Sequence, residues 1–428
     1  MTARAFTLFG TLIVLIFLIG LWQGTANVLL LSVTSLAYAL IALGLNIQFG
    51  YGGLFNLAVM GMLMLGAMAT TLISMPINMS FWDSDGPYLL LRAIGAAIAG
   101  GVLVFAVRWG LKRLGVGGTF TFWITLLAWL FAYIFYRTQI DPAALYIEQK
   151  AGWVGGLGLP VWLGWAAGAV FAALGALVIG RVSLGLRSDY LAIATIGMSE
   201  IIRAFVKNMD WLTRGTLTVT PVPWPVPTPQ YFQELGADTT ASFVYARGGF
   251  LLVLLVLVAV VLFGIERVYR GPWGRMMRAI RDNHIAAASM GKDVTRRQLE
   301  LFVLGSALMG LGGAVLASFS RLFDPAGYIP INHTFLIWVM VIVGGAGNSF
   351  GALFGAVFIY FVWMMSDPVS HTIFEWVNSL SLSIGWPAIP EIDARSSQMR
   401  VFVLGLVITL ALRFAPRGLI PEIIRRER

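Results

Sequence analysis

Residues 271–294 read GPWGRMMRAIRDNHIAAASMGKDV. Apolar runs at 247–266 and 298–319 bound this stretch. Each run has the length of about 20 residues that crosses a bilayer as a helix. A charged island between two such runs is a connection between membrane spans. Widened to 267–297, the island holds Arg267, Arg270, Arg275, Arg278, Arg281, Lys292, Arg296 and Arg297 against Asp282 and Asp293, a formal balance of +6.

The rest of the chain repeats this alternation. Of its 428 residues, 58% are hydrophobic and 11% charged, with mean hydropathy +0.83. A soluble domain carries about 25% charged residues. A soluble core cannot absorb this apolar excess, whereas lipid can. Apolar segments fall at 5–23, 28–47, 57–75, 88–109, 119–137, 160–180, 189–208, 247–266, 298–319, 334–346, 349–366 and 399–415. The expected fold is all-α: a polytopic transmembrane helical bundle of about ten to twelve spans, broken or re-entrant helices included. It forms a single transmembrane domain over residues 1–428. Segment 334–346 is too short to cross alone and reads as half of a broken helix. Met1–Trp22 is longer than the apolar part of a signal peptide and reads as a retained first span.

Basic residues set the orientation. Arg108, Lys112 and Arg113 form one cluster, Arg181 and Arg187 a second, and 267–297 a third. The tail adds Arg413, Arg417, Arg425, Arg426 and Arg428. All four share one side if both termini are cytoplasmic. The opposite connections hold Asp83, Asp85, Asp141, Glu148, Asp210, Glu234, Asp238, Asp367, Glu375, Glu391 and Asp393. The expectation is a multi-pass bacterial inner-membrane protein, with 267–297 cytoplasmic and the loops 209–245 and 367–398 periplasmic. Within the first of these loops, Pro221, Pro223, Pro225, Pro227 and Pro229 alternate with other residues. Such a run is extended and semi-rigid, either a docking surface or a stiff connector.

Several classes are excluded. The net charge of +9 sits in clusters between spans, which speaks for lipid and against nucleic acid. There is no cysteine, and His284, His333 and His371 are scattered, so no metal set or clustered acid–base machinery emerges. The chain is not expected to be an enzyme. An ion-coupled secondary transporter would show several intramembrane acids. This chain offers essentially one, Glu200. It is i, i+3 from Arg203, either a structural pair or part of a solute path.

In the quoted stretch, Arg275, Arg278 and Arg281 recur at three-residue spacing, with Met276, Ala279 and Ile280 as a neighbouring apolar patch. This is a short helix, then a small-residue turn, then Gly291. Such an element fits a groove in another protein or rests on anionic lipid. Two Gly-rich breaks also stand out. One is Gly50-Tyr51-Gly52-Gly53 leading to Asn56; the other is Gly344-Gly345-Ala346-Gly347-Asn348. Breaks of this kind line solute paths or allow tight helix packing.

The stretch resembles the cytoplasmic coupling loop of ABC import permeases, with Ile285-Ala286-Ala287 and Gly291 at the positions of their Glu-Ala-Ala…Gly signature. YALIALGLNIQFG (38–50), DYLAIATIGMSEIIR (189–203), WLTRGT (211–216), 304–316 and VGGAGNSFGALFGAVFI (343–359) resemble further segments of one branch in the right order. That branch is the LivM-like permeases of the branched-chain amino acid and urea importers. The resemblance implies an ABC importer permease fold and the path for a small solute. Branched-chain or related amino acids are the expected solute, with urea, amides or small organic acids as the alternative. It implies a second, homologous permease, two ATP-binding cassette subunits and a periplasmic solute-binding protein. ATP and Mg would be held by the cassette subunits. This chain, which has no Walker loop, would carry no cofactor. Arg275, Arg278, Arg281, Ala286, Ala287 and Gly291 would contact the ATPase. Asn56, Val59, Met60, Glu200, Gly345 and Asn348 would approach the solute path. Where related permeases place a His or Gln after the first break, this chain has Asn56-Leu57-Ala58-Val59-Met60.

Overall fold

The computed structural model describes residues 3–385, 387 and 391–422. The first helices are α1 (Ala3–Gln23), α2 (Thr25–Leu45), α3 (Val59–Ser74), the short α4 (Met79–Trp82), α5 (Gly86–Arg113) and α6 (Gly118–Ala151). Then come α7 (Val161–Ser183), α8 (Ser188–Lys207), the short α9 (Asp210–Thr213) and α10 (Pro229–Glu234), and α11 (Thr239–Arg270). The chain finishes with α12 (Pro272–Asp282), α13 (His284–Ser289), α14 (Val294–Ser320), α15 (Leu336–Gly344), α16 (Ser349–Ser383) and α17 (Ile392–Phe414). Wider π turns at Asn46–Tyr51 and Ile331–Phe335 extend α2 and precede α15. Among the described residues nine helices are long and apolar enough to cross a membrane. α3 and the 331–344 segment are apolar but short. Each of the twelve expected segments coincides with a helix.

Three helices outrun their expected ends. α6 has 34 residues, α11 has 32 and α16 has 35. At 1.5 Å per residue these reach about 48–52 Å, well past a hydrocarbon core of about 30 Å. The expected loop at 367–398 is therefore corrected: α16 continues through 383 and α17 begins at 392. Its polar residues are those of a helix that has left the bilayer. Asp367 pairs with Arg400 across to α17 at 3.5 Å. Of the other expected loop, 209–245, the last residues belong to α11. The proline run packs on its own chain, as a connector does. Val222 N donates to the Arg321 carbonyl (3.1 Å), and Trp224 stacks on Phe319 with ring centroids 5.6 Å apart.

α2, α14 and the first half of α16 form the buried centre, while α1, α6 and α17 present apolar surface outward. Glycines bring the central helices close, as small residues do where lipid supplies no hydrophobic drive to association. Gly44 of α2 faces Gly305 of α14, and Gly66 of α3, Gly168 of α7 and Gly310 of α14 meet in one seam. Contacts between connections sort them into two ends. At one end Ile77 pairs with Gly155, Val219 with Phe323, and Arg247 donates to the Ala26 carbonyl (2.7 Å). At the other, residues 46–53, 267–297, 345–348 and 415–422 come together. Arg108, Lys112, Arg113, Arg181, Arg187, the 267–297 cluster, Arg413 and Arg417 fall at this second end, called here the basic end, and Arg425, Arg426 and Arg428 lie outside the described residues.

Candidate functional site

The two Gly-rich breaks, far apart in sequence, meet at the basic end. The amide of Gly347 donates to Asn46 Oδ1 at 2.8 Å. A side chain on Gly50 would collide with Asn46 Oδ1 and the Gly347 backbone, so only glycine permits the approach. Tyr51 OH and Ser349 Oγ lie 2.6 Å apart, linking the end of the first break to the start of α16. Tyr51 also stacks on Tyr269 of α11 (3.5 Å between centroids, 22° between planes).

The C-terminal segment closes the junction. The last carbonyls of a helix lack partners within it. Here Leu419 N donates to Val343 O (2.8 Å) and Ile420 N to Gly344 O (2.9 Å). Gly345 has φ +124°, and a Cβ there would strike the Ile420 carbonyl. Asn348 caps α16: its Oδ1 accepts from Phe350 N at 3.0 Å, and its Nδ2 donates to Pro421 O at 3.1 Å. Gly345 and Asn348 thus sit in the joint between α15, α16 and the tail. Asn348→Ala should cost about 1–2 kcal/mol, the usual value of an N-cap. Asn348→Asp should cost less, because it keeps the acceptor. Thermal unfolding in detergent reads the difference.

Arg281 of α12 is the keystone. Its Nη1 donates to the Gly50 carbonyl at 2.7 Å and to Glu422 Oε2 at 3.0 Å, and its Nε lies 3.2 Å from Asp282 Oδ1. Its side chain is only 21% exposed and that of Glu422 20%. Burial works against the guanidinium charge, but the Glu422 hydrogen bond and charge outweigh it and hold Arg281 above its ordinary range. This corrects the expected shared face of Arg275, Arg278 and Arg281. Three-residue steps drift by about 60° each, so Arg281 stands about 120° round from Arg275. Arg275 is exposed, Arg278 is half-buried with its guanidinium 5.1 Å over the Tyr269 ring, and Arg281 points inward. The apolar patch is corrected too. Ile280 is buried with Met277 and Gly274 against this chain, Met276 is half-buried, and only Ala279 is exposed.

Asn283 turns the chain from α12 into α13, its Oδ1 accepting from Ile285 N (3.1 Å) and Ala286 N (3.0 Å). Gly291, at φ +76°, ends α13 in a Schellman arrangement. Gly291 N donates to Ala288 O (2.9 Å) and Lys292 N to Ala287 O (3.2 Å). Ala287 faces inward and is buried, whereas Ala286 is exposed beside Ile285 (68% exposed) and Met290 (80% exposed).

Beyond the first break the chain re-enters the bundle as an irregular, non-helical segment, 52–58, and α3 starts only at Val59. Non-helical backbone at membrane depth needs partners from protein. Asn56 is fully buried: its Nδ2 donates to Gln48 Oε1 (2.7 Å), its Oδ1 accepts from Ala58 N (2.8 Å), and its carbonyl accepts from Trp338 Nε1 (3.0 Å). Gln48 Nε2 continues the chain to the Phe302 carbonyl (2.7 Å) and Ser306 Oγ (2.9 Å) of α14. The free amides around the start of α3 are satisfied from other helices. Leu57 N reaches Thr195 Oγ1 (2.9 Å), Gly61 N reaches Ser199 Oγ (2.8 Å) and Met60 N reaches Thr334 Oγ1 (3.2 Å). Val59 and Met60 are buried within this chain. Glu200, with its side chain 44% exposed, pairs with Arg203 at 3.3 Å. The structure therefore separates the sequence-derived residues into a junction (Arg281, Gly345, Asn348), a buried helix start (Asn56, Val59, Met60) and a half-exposed ion pair (Glu200). The sequence singles out none of Asn46, Gln48, Thr195, Ser199, Thr334 and Glu422, and names Tyr51 only as part of the first break. The one available signal was that Asn46 and Gln48 interrupt an apolar run.

Two buried polar atoms at the junction, Asn46 Nδ2 and Tyr269 OH, lack partners among the described residues. Native interiors satisfy almost all such atoms with protein or ordered water.

Comparison with known proteins fits this architecture. The family described as "Branched-chain amino acid transport system / permease component" matches residues 27–145 and 115–412. The chain is 30% identical over 266 residues to the high-affinity branched-chain amino acid transport system permease protein LivM of Salmonella typhimurium, covering 60% of this chain and 56% of that protein. It is 28% identical to the Escherichia coli LivM, covering 62% of this chain and 58% of that protein. With the probable branched-chain amino acid transport permease protein LivM of Methanocaldococcus jannaschii it shares 23% identity over 390 residues, 90% of each chain. No solved structure matches it. The chain belongs to the family of branched-chain amino acid transport system permease components.

Proposed function

We propose that this chain is a membrane-spanning subunit of an ATP-driven ABC importer in the bacterial inner membrane, with the basic end in the cytoplasm. It carries branched-chain or related amino acids, the solutes named for its relatives LivM. Its partners are a second, homologous permease, two ATP-binding cassette subunits that hold ATP and Mg, and a periplasmic solute-binding protein. One observation carries this reading. The α12–α13 pair projects Arg275, Ile285, Ala286 and Met290 outward at the basic end while Arg281 roots the same pair in the first helix break and in the C-terminal tail that closes the second. Apolar anchors beside a basic residue suit a groove on a soluble partner. Movement of that partner reaches the broken helices through one side chain. The start of α3, held by Thr195 and Ser199 of α8, and the neighbouring Glu200 are the part of the solute path assigned to this chain.

The test is at the exposed tip. Ile285→Asp with Met290→Asp should place charge in the contact without touching the chain's own core. ATPase subunits are expected to co-purify at roughly a tenth of the wild-type level or less, since desolvating an unpaired charge exceeds about 1.4 kcal/mol. Membrane insertion should not change. Wild-type co-purification and solute-stimulated ATP hydrolysis in the double variant would remove the tip from the interface, and the ABC reading with it.

A further inference from the structure

We infer that the groove between α5 and α6 at the basic end holds an anionic phospholipid, its phosphate at Arg108 and one acyl chain between the helices. The α5–α6 hairpin stands apart from the bundle: beyond each other, the two helices touch mainly the short α4 and α9. They carry Phe105, Trp109, Phe122, Trp123, Trp129 and Phe131, all exposed. The helices close on each other at Gly100 and Ala132, where a Cβ on the glycine would lie 2.9 Å from the alanine Cβ. Between that contact and the turn they part, leaving a groove of about 420 Å³.

The groove is graded in chemistry. Arg108, Gly118 and Thr121 line it beside the turn, Phe122, Thr125 and Leu126 its middle, and Val104 and Trp129 its far part. Hydrocarbon at one end and a cation at the membrane-water boundary match the two parts of a phospholipid. No Asp or Glu occurs between Gly86 and Ile140, so nothing in the hairpin neutralises Arg108, Lys112 and Arg113. Among the described residues neither Arg108 nor Lys112 has an ion-pair partner, and Arg113 lies over the Trp109 ring, 3.9 Å from its centroid. α6 begins at Gly118 without a side-chain cap, so its first amides point free donors at the same place. Trp129 stacks on Tyr133 at 5.6 Å, which fixes the far wall. A zwitterionic lipid meets the same apolar walls but brings its own cation, so the site selects for net negative charge.

The experiment uses the full chain in its complex, reconstituted with phosphatidylcholine and phosphatidylglycerol and then exchanged into detergent. Native mass spectrometry reads the lipids retained. The expected result is retained phosphatidylglycerol in preference to phosphatidylcholine. Retention should fall roughly tenfold in Arg108→Gln/Lys112→Gln and also in Trp129→Ala, but not in Arg92→Gln at the opposite end of α5. All four side chains are exposed, so folding is not at stake. Added glycerol phosphate or inorganic phosphate should not displace the lipid. Displacement by either would make the site one for free phosphate and overturn the lipid assignment. Equal retention of phosphatidylcholine, or wild-type retention in the Arg108/Lys112 variant, would overturn it as well.

Discussion

Arg281→Gln is expected to leave the chain inserted and bound to its partners while lowering solute-stimulated ATP hydrolysis and uptake roughly tenfold, a change of about 1.4 kcal/mol. Besides its exposed bond to Asp282, the guanidinium makes two part-buried charge-assisted hydrogen bonds, to Gly50 O and Glu422, and such bonds contribute about 1.5–3 kcal/mol each. At about one-fifth exposure solvent screens part of this, so the loss in junction stability should be nearer about 2 kcal/mol. The Gly50 carbonyl and the Glu422 carboxylate would both lose their partner, and the tail would no longer be clamped over the second break. A double-mutant cycle with Glu422→Gln isolates the pair, with a coupling energy of about 1 kcal/mol or more expected between the two sites. Thermal unfolding in detergent gives the stability arm, and reconstituted transport gives the functional arm. If Arg281→Gln keeps uptake within a factor of about two of wild type, the junction does not transmit the ATPase signal.

The spans were legible because length and apolarity alone define them, and each of the twelve segments coincides with a helix. What hydropathy could not give is which spans face lipid. The first span and α2 are equally apolar, yet α1 is mostly exposed and α2 mostly buried. Lipid and protein interior are both hydrocarbon-like, so no polar face marks the outside as it does in a soluble helix. The helix ends were misread for a related reason. Where α16 leaves the bilayer it gains Asp367, Ser370, His371 and Thr372, and polarity there was taken for a loop although these residues continue a helix.

The glycine breaks were visible one at a time, as Gly50–Gly53 and Gly344–Gly347. Their meeting was not, because Asn46 and Gly347 lie 301 residues apart and nothing in either segment names the other. Arg281 shows the limit of spacing arguments most clearly. Three arginines at three-residue intervals look like a stripe on paper, but the drift of the helix turns the third one inward. Gly291, by contrast, ends α13 through a left-handed cap, a local property that one glycine can specify.

The largest loss of assembled protein is expected from the seam of glycines that holds the broken helix α3 in place, with Gly310→Val as the sharpest case. A Cβ on Gly310 would lie 2.6 Å from the Gly168 carbonyl oxygen and would overlap the Ala172 side chain. A Cβ on Gly66 would overlap the Gly310 backbone, and one on Gly168 would lie 2.9 Å from Gly66 O and 3.0 Å from the Ala314 Cβ. Each glycine is thus the gap into which another helix fits. The obstructing atoms are backbone and alanine Cβ atoms, which yield only if whole helices separate. Overpacking a core costs about 1–3 kcal/mol when side chains can adjust. Here α3, α7 and α14 would have to part together, so the cost should lie at or beyond the upper end of that range. Parting them also pulls Gly61 and Leu57 away from Ser199 and Thr195, which reopens the amides at the start of α3. Gly95→Val is the matched control: the same substitution in α5, where a Cβ meets nothing within 4 Å. Monodisperse protein after solubilisation and the melting temperature are the readouts. Gly310→Val should give little folded material, and Gly95→Val should stay near wild type. Equal yield and melting for the two variants would mean that the three helices are not held by this seam.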